Sequence, residues 1–229
     1  MSTSSYLPTT MTFPVSVLPK TWKLDDLQAH LGGIPLSRIR TYPPPGMATE
    51  EDAFAIRREE GVLCELVDGV LVEKPMGWVE SAIAVYLAYI LHKYLADHPN
   101  VRGEVLGADG QVRVSDQMRI PDVSFIGSAR LTDAAYAEKV LPVTPDLVVE
   151  ILSEGNTTAE INRKLDEYFQ GHTQLAWIID PEARTAVIYS SRTDSDIIDE
   201  HGVLDGGEVL PGFAVTLAEV LRGRANRPN

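Results

Sequence analysis

The stretch "PDLVVEILSEGNT", Pro145–Thr157, decides how the chain is read. Leu147, Val148, Val149, Ile151 and Leu152 make a short continuous apolar run, the pattern of a strand covered on both faces of a sheet. Glu150 interrupts that run. A carboxylate taken out of water is costly unless it is paired, hydrogen-bonded or bound to a metal, so this residue requires a partner. Immediately downstream, Thr157 stands three residues before Glu160 and Gly171 closes the segment, the start and stop signals of a helix over 158–170.

Outward from this strand–helix pair, apolar and turn signals alternate. Residues 78–97 carry Ile83, Leu87, Ile90, Leu91 and Tyr94 at spacings of three and four, a long helix with one buried stripe. "VRGEVL" and "QVRV" read as strands about the turn "GADG", "PDVSFIG" as another strand, and a short helix is expected near 132–139. "LAWIIDP" and "TAVIYSS" are two more strands, and "GVLDGGEVLPGFAVTLAEVL" a hairpin with a final short helix. Upstream, "CELVDGVLVEKP" holds two strand-like runs joined by Asp68-Gly69, a strong hairpin signal. The pattern predicts an α/β (α+β) fold, a mixed β-sheet flanked by helices with an N-terminal helical arm. Residues 1–20, rich in Ser, Thr and Pro, are expected to be a disordered tail. Residues 21–60 form the arm, where Gly32 and Gly33 end one helix and Thr49 and Gly61 bound another. The main domain spans 61–222, and 223–229 is a C-terminal tail.

Composition bounds the function. The 229 residues, 44% hydrophobic, suffice for one sizeable core with an appendage. No apolar run approaches the roughly 18–20 residues of a membrane helix and the N-terminus lacks a secretory pattern, so the expectation is a cytoplasmic protein without a membrane partner. The single cysteine, Cys64, has no disulfide partner and is expected to be buried. A formal net charge of -13 argues against loose binding of polyanions over the whole surface. A nucleic-acid enzyme would need a local basic strip, for which Arg113, Arg119, Arg130, Arg163 and Lys164 are the candidates; scattered surface charge is the alternative. The five histidines lack metal-site spacing, and no serine-hydrolase or phosphate-loop motif occurs. Trp177 is expected in the core, whereas Trp78, beside Glu80, is the better candidate to touch a ligand, with packing as the default reading.

Three acids stand where folding alone would favour apolar residues. Glu80 falls on the stripe of the long helix, Asp122 follows the rigid Pro121 at the start of a strand, and Glu150 is the third. Singly, each has an ordinary role, as a helix-dipole acid, a loop cap and an arginine partner. Together, three inward carboxylates repel one another unless a cation lies among them, and hard divalent cations take such oxygens. Lys164, at the edge of the stripe formed by Ile161, Leu165, Tyr168 and Phe169, is expected half-buried and within reach of that site, or else in a surface pair with Glu160.

These residues carry a resemblance. The "PD" at 121–122, the later Glu150 and a nearby lysine resemble the PD-(D/E)XK nuclease superfamily. More closely, "ELVDGVLVEKPMG", "RIPDVSFIG", "PDLVVEILSEGNT" with "RKLDEYF", and "LAWIIDPEARTAVIY" resemble the Uma family of restriction-endonuclease-like proteins over about Leu63 to Tyr189. The resemblance implies a restriction-endonuclease-like fold and a metal-dependent endonuclease acting on DNA. It makes Asp122, Glu150 and the backbone carbonyl of Ile151 ligands of magnesium or manganese, and Lys164 and Glu80 catalytic; of the basic residues near these carboxylates, Arg113, Arg119 and Arg163 are the expected contacts to nucleic acid. One departure stands out: the superfamily places its lysine two residues after the glutamate, where this chain has Leu152. Two other classes stay open. One is a catalytically inactive binding or dimerisation module; the other, a paired-carboxylate glycoside hydrolase, lacks an aromatic-rich platform. A β edge left by "TAVIYSS" and the C-terminal hairpin argues for a homodimer.

Overall fold

The computed structural model describes residues 18–19, 22–75 and 77–224, so the expected tail over 1–20 lies almost wholly outside the described residues, as does most of the expected 223–229 tail. Two helices, α1 (Leu24–His30) and α2 (Glu50–Glu60), precede the hairpin β1 (Cys64–Val67) and β2 (Val70–Glu73) and the long helix α3 (Trp78–Asp97). Short strands follow, β3 (Gly103–Leu106), β4 (Val112–Val114), β5 (Gln117–Arg119) and β6 (Val123–Gly127), then α4 (Asp133–Tyr136), β7 (Leu147–Ile151) and α5 (Thr158–Gln170). The remainder is β8 (Leu175–Asp180), β9 (Thr185–Tyr189), β10 (Ser195–Asp199), β11 (Val203–Asp205), β12 (Ala214–Thr216) and α6 (Leu217–Val220).

A six-stranded sheet runs β10-β9-β8-β7-β6-β3, with β7 and β8 parallel and its other pairs antiparallel. Every residue of β7 is buried. The two-residue period of a strand sends Leu147, Val149 and Ile151 into the core beneath α3, where Ile83, Leu87 and Leu91 meet them. Val148 and Glu150 face the other way, towards α5, which presents Ile161, Leu165 and Tyr168. Trp177 is fully buried on the α3 side and stacks on Phe213 at 5.8 Å between ring centroids, the core role expected of it.

A second sheet, β2-β1-β5-β4, closes over the α5 face. Its β1–β2 hairpin turns at Asp68 (φ 48°) and Gly69 (φ 72°), two consecutive left-handed residues as the Asp-Gly signal requires. The strands flanking "GADG" do not pair with each other: β3 joins β6 in the large sheet and β4 joins β5 in the small one. The deciding element is β5, which the sequence pattern does not reveal, because three residues are too few to show a period. It turns back from β4 through Ser115 at φ 53° and buries Met118. The polar "SDIID" of β10 is likewise hidden in the sequence, and it covers β9. The "TAVIYSS" strand is therefore not an edge, and β11 and β12 pair with one another. The actual edge, β10, exposes Asp196 and Asp199, charges that discourage strand addition.

The N-terminal arm is packed rather than appended. Leu27, Leu31, Ile34 and Ile39 bury against Val67, Val70 and Val72 of the small sheet. Thr49 caps α2 through a reciprocal pair of hydrogen bonds with Asp52, Gly61 ends it at φ 73°, and Ala53 packs against Cys64 and Leu71. Burial in that cluster pushes the Cys64 thiol up to about 11, as befits an inert core cysteine. Gly32 lets α1 end against the start of α5: a Cβ there would lie 2.7 Å from the Glu160 amide nitrogen, and its carbonyl accepts the Thr157 hydroxyl at 2.6 Å. Beside this contact Arg38, itself buried, clasps both oxygens of Glu160 at 3.0 and 2.7 Å and donates to the Gly155 carbonyl at 2.8 Å. Replacing Arg38 with Met leaves Glu160 buried without its counter-charge, and the expected loss is about 3–5 kcal/mol, read as a lower urea midpoint at unchanged slope. A loss below about 1 kcal/mol would show that the arm is not anchored there.

Candidate active site

The site lies where α5 and the small sheet close over the large one. The antiparallel register that pairs Val123 with Val149 sets Asp122 beside Glu150 on the α5 face. Pro121 fixes the start of β6, and the Asp122 amide donates to the Val149 carbonyl at 3.0 Å. The Asp122 carboxylate accepts the Ile151 amide N–H on Oδ2 at 2.6 Å and the Lys74 ammonium on Oδ1 at 2.8 Å. Lys74 also donates to the Ile120 carbonyl. Glu150 receives the Lys164 ammonium at 3.2 and 3.1 Å and the Tyr168 hydroxyl at 2.5 Å.

From Lys164 the charges continue into the small sheet. Its Nζ lies 3.1 Å from Glu65 Oε1, and Glu65 also accepts the Ile120 amide at 3.1 Å and Arg119 Nη1 at 2.9 Å. Arg119 then grips Glu167 through two bonds of 2.7 and 2.8 Å. Arg163 joins Glu167 at 2.9 Å to Asp68, which also meets His30 at 2.8 Å. Burial alone would push Glu65 up, but Lys164, Arg119 and Lys74 hold it well below the usual carboxylate range. Burial would likewise weaken the Lys164 charge, yet Glu150 and Glu65 keep that ammonium above its ordinary value. Glu150 is raised, chiefly by burial and further by the neighbouring Asp122, despite Lys164. Burial and the Glu150 charge also raise Tyr168 well above a free phenol, so it stays a donor.

The structure thus brings Asp122, Glu150 and Lys164 together, with the backbone of Ile151 against Asp122. Lys164 is more deeply buried than its position at the edge of the helix stripe implies, because the small sheet covers that edge. Its surface-pair alternative does not form, since Glu160 is taken by Arg38. Glu80 is not in the cluster. The Glu80 carboxylate folds back over Gly77 at the start of α3, where a Cβ would meet Oε2 at 2.1 Å. Glu80 instead lines an open cleft of about 590 Å³ with Ser153, Glu154, Asn162, Asp180 and Glu182. Leu152, Ile161 and Ile178, which flank Glu150 and Lys164 on the same face, form its apolar wall. Trp78, at the start of the same helix, is 66% exposed.

The expected basic strip does not assemble. Arg113 pairs with Glu50 of α2 at 2.8 Å, Arg130 with Asp146 at 2.8 Å, and Arg163 with Glu167 and Asp68, while Arg119 is only 3% exposed between its two glutamates. Sequence reasoning missed Glu65, Lys74, Tyr168 and Glu167. Glu65 carries the signal that marks Glu150, a lone acid within an apolar run. Lys74, in "EKPMG", reads as an ordinary turn lysine, and no pattern shows where the Tyr168 hydroxyl points.

Among the described residues, no three acids, histidines or cysteines converge tightly enough to hold an ion by themselves. The donor chemistry nevertheless fits magnesium, which binds through one or two carboxylates and keeps its waters. A cation already lies against Asp122, in the form of the Lys74 ammonium, and the buried Ser124 hydroxyl two residues along the same face has no protein partner.

A sequence profile described as "Putative restriction endonuclease", that of Uma2, matches residues 50–218. The chain belongs to the Uma2 family. Among solved structures, this Uma2 chain is similar to the crystal structure of a "putative nuclease belonging to DUF820" from Anabaena variabilis, at 18% identity and a TM-score of 0.65, over 75% of this chain and 97% of that one. That likeness shows the shared restriction-endonuclease-like fold. The comparison with curated proteins gives no match. The Uma2 match begins at the start of α2, so α1 and the Arg38 anchor lie outside it.

The charge network predicts an acid-sensitive fold. Glu65, Glu160 and Asp68 all have folded values below their unfolded ones, the last two because Arg38 and Arg163 outweigh the cost of burial. Their stabilisation is complete above the unfolded value of about 4 and is lost as the pH falls through the folded values. Glu150 has the opposite sign and offsets part of this. Urea midpoints should hold from pH 7 to about 5 and drop steeply below about 4, and Glu160→Gln should flatten the drop; a midpoint that rises on acidification contradicts the network.

Proposed function

We propose that this Uma2 protein is a metal-dependent endonuclease that hydrolyses phosphodiester bonds of DNA, with magnesium or manganese held at Asp122 and Glu150. The single observation that carries the reading is the placement of these two carboxylates side by side on one sheet face, with the Lys164 ammonium closing on Glu150 from α5. A bound divalent ion would supply Lewis-acid polarisation of the phosphoryl oxygen and a water of lowered pKa. The Ile151 amide and the Tyr168 hydroxyl fix the two carboxylates, so ligand orientation is set before any substrate arrives. The backbone carbonyl of Ile151 would complete the ligand set. Lys164, kept cationic by Glu150 and Glu65, would neutralise charge developing on the phosphate. The nearby cleft is open to solvent, and the exposed Trp78, one residue before its lining residue Val79, would offer a stacking surface to a strand entering it.

A second reading, a catalytically inactive nuclease-fold module, is favoured by a specific observation. Protein donors already engage both carboxylates of the site, and Glu80, Glu154, Asp180 and Glu182 make the cleft acidic. The edge from which a homodimer is expected is carried by β10, which pairs with β9 and exposes Asp196 and Asp199.

Cleavage of single- and double-stranded DNA and of RNA, with magnesium or manganese and with a chelator, separates the readings. The expected outcome is metal-dependent DNA cleavage that falls at least about 100-fold in Asp122→Asn and in Lys164→Met, with both variants folded by circular dichroism. Folded wild-type protein that cleaves none of these substrates would leave the module reading in place, and an Asp122→Asn variant that cleaves equally well would overturn the assignment of the site to Asp122.

A further inference from the structure

Lys74 is the feature of the site that neither the sequence pattern nor the proposed chemistry accounts for. It follows β2 directly, and its side chain is almost fully buried, 4% exposed, with the ammonium turned inward onto Asp122. A lysine there removes a long flexible side chain and a strongly hydrated charge from water, which the sheet-closing function of β2 does not require. Its counter-charge is the very carboxylate proposed to hold the metal.

Charge balance shows what the lysine does. The cluster contains the carboxylates of Asp122, Glu150, Glu65, Glu167 and Asp68 and the cations of Lys74, Lys164, Arg119 and Arg163, the last shared between Glu167 and Asp68. With these carboxylates and cations ionised, the acids exceed the cations by one charge. A divalent ion added to this arrangement leaves it with a net positive charge out of water, which the release of one resident cation removes. Lys164 is held by two carboxylates, Glu150 and Glu65, and Arg119 by Glu65 and Glu167, whereas among the described residues Lys74 has Asp122 as its one carboxylate at ion-pair distance. Lys74 is the cation whose release breaks fewest ion pairs.

We propose that Lys74 is a built-in competitor for the metal, an ammonium that occupies the cation position at Asp122 and that a divalent ion must displace in order to bind. The inference rests on the reading of Asp122 and Glu150 as ligands. In the metal-free protein Lys74 prevents the two neighbouring carboxylates from repelling each other, so the fold does not depend on the ion. The same contact weakens metal affinity, making occupancy respond to the concentration of free divalent ion.

The test is manganese binding by titration calorimetry at pH 7, without substrate. Lys74→Met should bind manganese at least tenfold more tightly than wild type, Lys74→Arg, which keeps the charge, should stay within a few-fold of wild type, and Asp122→Asn should abolish binding. A manganese-soaked crystal of the unaltered chain provides a check independent of any variant's folding: the ion should lie at Asp122 with Lys74 Nζ moved away. Equal or weaker binding by Lys74→Met, or an ion bound while Lys74 still contacts Asp122, overturns the proposal but leaves the metal site intact. No manganese binding by wild type and by folded Lys74→Met overturns both.

Discussion

Lys164 stands at the junction of the two sheets, its ammonium shared between Glu150 of the large sheet and Glu65 of the small one. That contact constrains much of the rest. A glutamate on the buried face of a central strand has to be matched, and the match comes from a helix that must lie across that face at one rotation and one height. Glu65 in turn fixes the hairpin of the small sheet over the helix, and Arg119 and Glu167 repeat the arrangement one step further on. Such buried pairs contribute little net stability compared with apolar side chains of the same volume, but removing one member is strongly destabilising. Their effect is to select one packing of two sheets and a helix.

The arrangement also poises chemistry. Two carboxylates are held adjacent by strand register, each oriented by a hydrogen bond from the protein, before any ligand arrives. This is how a Uma2 chain with a strongly acidic surface can bury acids at its centre: the compensation is local, and it comes from lysines and arginines drawn inward instead of displayed. The consequence for nucleic acid is direct. The arginines that would make an exposed strip are engaged with glutamates and aspartates, so these residues do not offer a phosphate backbone a free basic surface.

The arm preceding the family match belongs to the same design. Leu27, Leu31 and Ile34 pack on the face of the small sheet that also carries Glu65, beside α5, and Arg38 reaches the first turn of α5, four residues before Lys164. The orientation of the helix carrying Lys164 is therefore set from both ends of the chain's folding order, by the arm at its N-terminus and by β7 beneath it.

Much of this was legible without coordinates. The course of α3 follows from apolar spacing, the bounds of α5 from Thr157 and Gly171, and the buried course of β7 from its run of Leu, Val and Ile about Glu150. These are local signals, each settled by neighbours within a turn or a strand. Asp122, Glu150 and Lys164 could be singled out for the same reason, since a charge amid apolar periodicity is visible residue by residue. What tertiary structure alone decided is which charge meets which. The placement of β3 and β4 in different sheets, the inward turn of Lys74 and Arg119, the capture of Glu160 by Arg38 and the exclusion of Glu80 from the cluster all depend on long-range pairing, and a side chain's partner across the fold leaves no periodic trace in the sequence around it.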